Sequence, residues 1–182
     1  MMRNNKNSKR VITGKVRFAY ANLLEPRAID NDKEQYSVSL IIPKDDRKTI
    51  REIRRAITAA KQNGVSKFGG FIPENLILPL KDGDIEKPND ETYKNSYFIN
   101  AKSKVKPQIV DKLLNPISDK AEIYSGCYGR ASIGFYSYNF NNNKGIACHL
   151  GNVQKLEDGE HLGYSNNAED EFEVYDVESF FN

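Results

Sequence analysis

The sequence predicts a mainly β chain, a five-stranded, partly open β-barrel carrying one main helix (α+β in the wider sense). Three observations predict it. Apolar and polar residues alternate with period 2 in several separate stretches, the signature of half-buried strands. One stretch alone, around residues 47–63, places apolar residues at helical spacing behind a capping aspartate. No repeat and no second apolar core divides the 182 residues, a length suited to a single domain.

Residues 1–10 are polar and basic with no apolar run behind them, so they read as a flexible N-terminal arm and not as a secretory signal. Residues 10–20 alternate, with Ile12, Val16, Phe18 and Tyr20 inward and Lys15 and Arg17 outward; Glu25-Pro26 is the expected stop. Residues 35–42 form a second strand, with Tyr36, Val38, Leu40 and Ile42 inward and Ser37 and Ser39 outward. Asp45 or Asp46 then caps a helix over 47–63. Its apolar stripe is Ile50, Ile53, Ile57 and Ala60, and Gly64 is its stop. The other surface of that helix carries Arg47, Lys48, Arg51, Arg54, Arg55 and Lys61. A solvated face is the default reading, with DNA contact as its alternative.

Residues 65–95 are rich in loops, with 68–71 and 76–80 as short strands or a flap. Lys81-Asp82-Gly83-Asp84 reads as a tight turn in which Asp-Gly supplies positive φ. Residues 97–106 are a third clear strand, with Tyr97, Ile99, Ala101 and Val105 inward and Phe98, Asn100, Lys102, Lys104 and Lys106 outward. The longest strand is expected over 123–140, with Ala131, Ile133 and Phe135 inward. Tyr128, Arg130, Ser132, Tyr136, Tyr138 and Phe140 face the other way. Residues 141–145 make a flexible hairpin tip and 145–153 return as the last strand. This order fits a barrel of the oligonucleotide/oligosaccharide-binding (OB-fold) type, although other α+β barrels fit it too.

No run approaches the roughly 18 apolar residues that span a bilayer, so no membrane association is expected and the cytoplasm is the expected compartment. Cys127 and Cys148 belong to no C-x-x-C pair and are read as reduced residues packed in or near the core. The net charge of +2 conceals an asymmetry. Residues 163–182 hold six acids and no Lys or Arg; the remainder carries 27 basic against 19 acidic residues, a charge of +8. The chain therefore divides into a basic barrel domain over 11–162 and an acidic C-terminal tail over 163–182.

A protein that holds single strands without reading their sequence needs cations for phosphates and flat rings for bases on one surface. Alternation offers both. Lys15 and Arg17 form one outward pair; Phe98, Lys102, Lys104 and Lys106 share a face; Tyr128, Arg130, Tyr136, Tyr138 and Phe140 share another, with Lys144 on the hairpin. Lysines on a strand are more commonly a solvated edge, and a tyrosine there is commonly packing, so the argument rests on the three groups together. In the tail, Glu169, Asp170, Glu171, Phe172, Asp176, Phe180 and Phe181 mix acids with aromatics too densely to build a core. They are candidates for contacting a partner protein or for occupying the chain's own basic groove.

Residues 14–20 (GKVRFAY) with Glu25-Pro26, residues 80–84 (LKDGD) and residues 101–103 (AKS) also carry a family resemblance. So do 124–131 (YSGCYGRA), 145–148 (GIAC) and 152–155 (NVQK). Together they resemble the phage single-stranded-DNA-binding proteins that were formerly a domain-of-unknown-function family. The resemblance spans about residues 11–163. It implies an OB barrel and sequence-independent single-stranded DNA binding in phage DNA replication, recombination or repair, in the host cytoplasm if the chain is phage-encoded. Acidic tails ending in aromatics on similar proteins recruit replication enzymes; this chain ends Phe180-Phe181-Asn182 and not on a terminal Phe.

Single-stranded DNA is thus the expected partner, with replication or recombination proteins as partners of the tail and a homodimer compatible with the pattern. No cofactor, metal or catalytic residue is expected. The rival readings are a strand-annealing or recombination mediator, a structural or adaptor protein of the virion, and a metal-dependent nuclease using Asp82, Asp84, Glu86 and Asp90. Those four carboxylates sit in one turn-rich loop with no partner elsewhere. His149 and His161 have no nucleophile–base partner, and the deaminase signature (His-x-Glu with Pro-Cys-x-x-Cys) is absent.

Overall fold

A computed structural model describes residues 10–28 and 33–163. In chain order they form β1 (Arg10–Ile12), β2 (Val16–Arg27), β3 (Gln35–Pro43), α1 (Arg47–Asn63), β4 (Lys81–Asp82) and α2 (Gly83–Glu86). A 3-10 turn (Glu91–Tyr93), β5 (Ser96–Ser103), β6 (Ile109–Val110), β7 (Tyr128–Phe140) and β8 (Asn143–Glu157) follow. Five of the strands pair in a ring: β7 with β2, β2 with β3, β3 with β5, β5 with β8, and β8 back to β7. Every pair in the ring is antiparallel except β5–β8, which is parallel and meets at one position, Lys102 opposite His149. This is the OB-fold, with one seam largely open.

Segment 77–82 fills much of that seam. The Ile77 amide donates to the Lys144 carbonyl (3.0 Å), and the Ile146 amide donates to Ile77 (2.9 Å). On its other side Lys81 and Asp82 pair with Phe98 and Tyr97. The segment therefore bridges β8 to β5 on the hairpin side of the Lys102–His149 pair.

Inside the ring, Phe18, Leu40, Ile42, Ile99, Ile133 and Phe135 meet Ile50, Ile53, Ala56 and Ile57 of α1. Asp46 caps that helix by accepting from the Thr49 amide (3.1 Å). A second, smaller cluster lies outside the barrel: Ala19, Ile41 and Phe98 on the outer face of β2, β3 and β5, covered by Tyr93 and Leu162. Cys127 and Cys148 are both buried in the main core, where burial pushes both thiols up and away from thiolate character. No helix among the described residues is long and apolar enough to cross a membrane.

Several expectations are corrected. The first strand is two: β1 buries Val11 and leaves Ile12 exposed, while β2 runs on through Glu25-Pro26 to Arg27. Tyr20 is exposed, because a register shift between Ala19 and Asn22 inserts an extra residue and sets Tyr20 at φ 47°. Val105 is also exposed, since β5 ends at Ser103. The stretch before Tyr128 is turns and not strand.

Gly64 ends α1 at φ −92°, without the left-handed backbone. It is small because a side chain there would press on Ser137 and on the Phe68 ring. Residues 81–84 are not a turn with positive φ: Asp82 ends β4 and caps α2 by accepting from the Asp84 amide (3.0 Å). The β7–β8 hairpin closes in two residues, Asn141 and Asn142, both at positive φ, which suits the twist of the ribbon.

Candidate nucleic-acid interface

Two grooves run along the outer surface, each of about 550 Å3. The first follows the open seam and is walled by Lys81, Lys102, Lys104, Tyr136, Tyr138 and His149. The second crosses the outer face of β2, β3 and β5, between Tyr20, Asn22, Ser37, Ser39, Lys87, Tyr93 and Phe98. Asn100 and Lys102 border both grooves. Strand geometry explains the arrangement: in β5, Asn100 and Lys102 point outward from a strand whose Ile99 and Ala101 are core. The two troughs therefore meet at one exposed lysine.

Of the residues expected to bind DNA, the fold gathers Lys102, Lys104, Tyr136 and Tyr138 in the seam groove. Burial pushes the Tyr136 phenol up, so it stays a neutral hydrogen-bonding ring through the ordinary pH range. Phe98 is on the outer face, as alternation requires, but is 4% exposed. Tyr93 packs edge-on against it at 5.1 Å, so Phe98 forms the base of the second groove instead of a free stacking platform. Lys106 is exposed beyond the end of β5, and Phe140 is exposed at the hairpin.

Lys15, Arg17, Tyr128 and Arg130 lie outside that groove, and the three cations among them are engaged. The Arg17 guanidinium donates to the Gly126 (3.2 Å) and Glu160 (2.8 Å) carbonyls and lies 5.4 Å from the Tyr128 ring centre. Lys15 is on the same ring at 5.7 Å and pairs with Glu157 at 3.1 Å. Arg130 donates to the Thr13 carbonyl (3.0 Å) and Lys144 to that of Phe68 (2.8 Å). None of these side chains lines the seam groove, which alternation along one strand does not reveal. Glu169, Asp170, Glu171, Phe172, Asp176, Phe180 and Phe181 lie outside the described residues.

Arg17 also fastens the last described segment. Leu162 donates its amide to Ser125 (2.9 Å), and His161 stacks on Tyr124 with ring centres 4.0 Å apart. Beside them Asp158 is held below the usual carboxylate range, first by its hydrogen bond from Lys155 and then by that from Tyr124. Arg17→Ala is expected to speed amide exchange at Leu162 by about tenfold while leaving core strands protected, as read by exchange and mass spectrometry.

Sequence reasoning did not select Tyr20, Asn22, Lys81, Lys87, Asn100 and His149. Alternation alone places Tyr20 inward, and Lys87 sits in a stretch with no periodicity to place it. Three of the four carboxylates proposed for a nuclease, Asp82, Asp84 and Asp90, are held in local pairs and caps. Lys44 pairs with Asp82 (2.8 Å) and Asp84 (2.6 Å), and Asp90 caps the 3-10 turn through Thr92. Among the described residues no three His, Cys, Asp or Glu side chains group to hold a metal ion.

Residues 9–181 match the family described as the ssDNA-binding protein of Enterobacter phage Enc34. The chain belongs to the Enc34 ssDNA-binding protein family. Protein p50 of Acyrthosiphon pisum secondary endosymbiont phage 1 is 29% identical over 153 residues, 80% of this chain and 82% of that one. The Enc34 protein itself, solved in complex with ssDNA, matches with a TM-score of 0.77 and 26% identity, covering 89% of this chain and 97% of that chain. The bacteriophage T7 single-stranded DNA binding protein gp2.5 shares the fold at a TM-score of 0.64 and 17% identity, over 91% of this chain and 96% of that one. The Enc34 family fold thus accounts for the barrel.

Proposed function

We propose that this chain binds single-stranded DNA without enzymatic action, along a track that joins the two grooves at Lys102, in the service of phage DNA replication, recombination or repair. The junction itself carries the reading: one exposed cation between two troughs, with Tyr136 and Tyr138 on one side and Tyr20 on the other. A single strand needs that combination, since lysines neutralise phosphates and rings accept bases of any identity. Membership of a family whose Enc34 relative is solved with ssDNA supports it. The acidic tail regulates this track or recruits a replication or recombination protein.

Titrating a labelled dT oligomer by anisotropy at several salt concentrations tests the binding. Binding is expected to strengthen with oligomer length, and log K to fall linearly with log salt by about 0.7 per phosphate contacted. No binding at low salt overturns the reading. A chain ending at residue 162 is expected to bind equally or more tightly, since it loses six acids and no base. Weaker binding by that chain contradicts a tail that competes with DNA.

A further inference from the structure

Helix α1 closes the barrel core with one face and carries dense positive charge on the other. Over Arg47–Asn63 it has six cations and one acid, Glu52. Arg47, Lys48, Arg51, Arg54 and Arg55 are exposed, on the side turned away from the core residues Ile50, Ile53 and Ile57. None of the six cations forms an ion pair among the described residues, whereas Lys15, Lys44, Lys94, Lys120 and Lys155 all do. Arg54 donates to the Tyr97 hydroxyl (3.3 Å), and the capping Asp46 is spent on the Thr49 amide.

This charge opposes the helix that bears it. Arg47 and Lys48 occupy the first turn, where the helix dipole favours acids, and no acid is present there. Arg47, Arg51 and Arg55 follow one another at i, i+4, a spacing at which like charges repel. Charges of alternating sign would solvate such a face without that cost. A polyanion lying along the stripe removes the repulsion.

What the face lacks decides between polyanions. α1 has no aromatic residue, and none of its residues lines either groove. It can neutralise phosphates but offers no ring to an unpaired base, so a single strand laid there would leave its bases in water. A duplex stacks its own bases and presents its phosphates outward. Four of the five exposed cations are arginines, whose planar forks match phosphate oxygens in pairs. From Arg47 to Arg55 the helix rises about 12 Å, over which one strand of a duplex presents about three phosphates. The chain's own acidic tail fits less well. Its acids are mixed with Phe172, Phe180 and Phe181, and the exposed residues of α1 are all polar.

We propose that the exposed face of α1 is a second nucleic-acid surface, which holds the phosphate backbone of duplex DNA apart from the single-strand track. It goes beyond the single-strand reading and does not depend on it.

The full chain is titrated by anisotropy at low salt with a labelled blunt duplex and, separately, with oligo-dT. Arg51→Glu combined with Arg55→Glu is expected to weaken duplex binding by about tenfold or more while leaving oligo-dT binding within about twofold. Lys102→Glu is expected to do the reverse. Arg51→Gln combined with Arg55→Gln is a milder pair, expected to weaken duplex binding about threefold, and serves if the charge reversal lowers the unfolding midpoint. Unchanged duplex binding by a folded variant overturns the proposal, as does a parent chain that binds no duplex. Equal losses for duplex and oligo-dT also overturn it, because α1 would then belong to one shared track. A labelled peptide of residues 163–182 that loses affinity in these variants, with duplex binding intact, assigns the face to an acidic segment instead.

Discussion

Lys102→Glu is expected to weaken oligo-dT binding by more than about tenfold at physiological salt, and to lower the slope of log K against log salt by about 0.7. Anisotropy titrations at four or five salt concentrations would measure both. The size of the effect follows from position. Lys102 is exposed, borders both grooves and, among the described residues, makes no ion pair that its loss would leave broken. A glutamate there removes one phosphate contact and adds a repulsive charge where the two troughs join. Because the residue faces outward from β5, thermal unfolding should stay within about 2 °C of the parent. A normal affinity with normal folding would place the DNA track on another face.

Gly129→Ala is expected to cost about 3 kcal/mol, lowering the unfolding midpoint by roughly 6–12 °C in calorimetry. Gly129 lies where β7 is flanked by β2 on one side and β8 on the other, opposite Val16 and Lys155. A methyl there would press on the Gln154 carbonyl and come within 2.6 Å of the Phe18 ring. Neither can yield, since one is backbone and the other is a fully buried core ring. An alanine variant with the parent's midpoint would mean that the three strands are not held this closely.

The parts of the fold that were legible are those decided by neighbours in sequence. Helix α1 has its cap, its stripe and its length written within 46–63, and all three are observed. The inward sets Val38–Leu40–Ile42 and Ala131–Ile133–Phe135 follow from period 2 and are buried as expected. What was not legible depends on distant chain. One extra residue at Tyr20 reverses a face, and nothing near it in sequence announces the bulge. Phe98 faces outward as alternation says, yet Tyr93 and Leu162 cover it. Gly64 and Gly83 looked like backbone punctuation but are small because Ser137, or the Tyr93 and Ser96 carbonyls, stand against them.

The same contrast governs the site. Lys102, Lys104, Tyr136 and Tyr138 stand out by their spacing in the sequence. Their meeting in one groove depends on the parallel seam between β5 and β8, which no local pattern encodes.

That ring of strands has a consequence for synthesis. β2, near the start of the chain, meets β7, and β5 is closed by β8, which ends at Glu157. A growing chain on the ribosome therefore holds β2, β3 and β5 as an unfinished sheet, with apolar inner faces open to chaperones and to other chains. Folding cannot be completed strand by strand, because the last two strands supply the partners of the first and third. Ribosome-bound chains halted before β8 should thus be captured by chaperones, whereas chains halted well past Glu157 should resist protease.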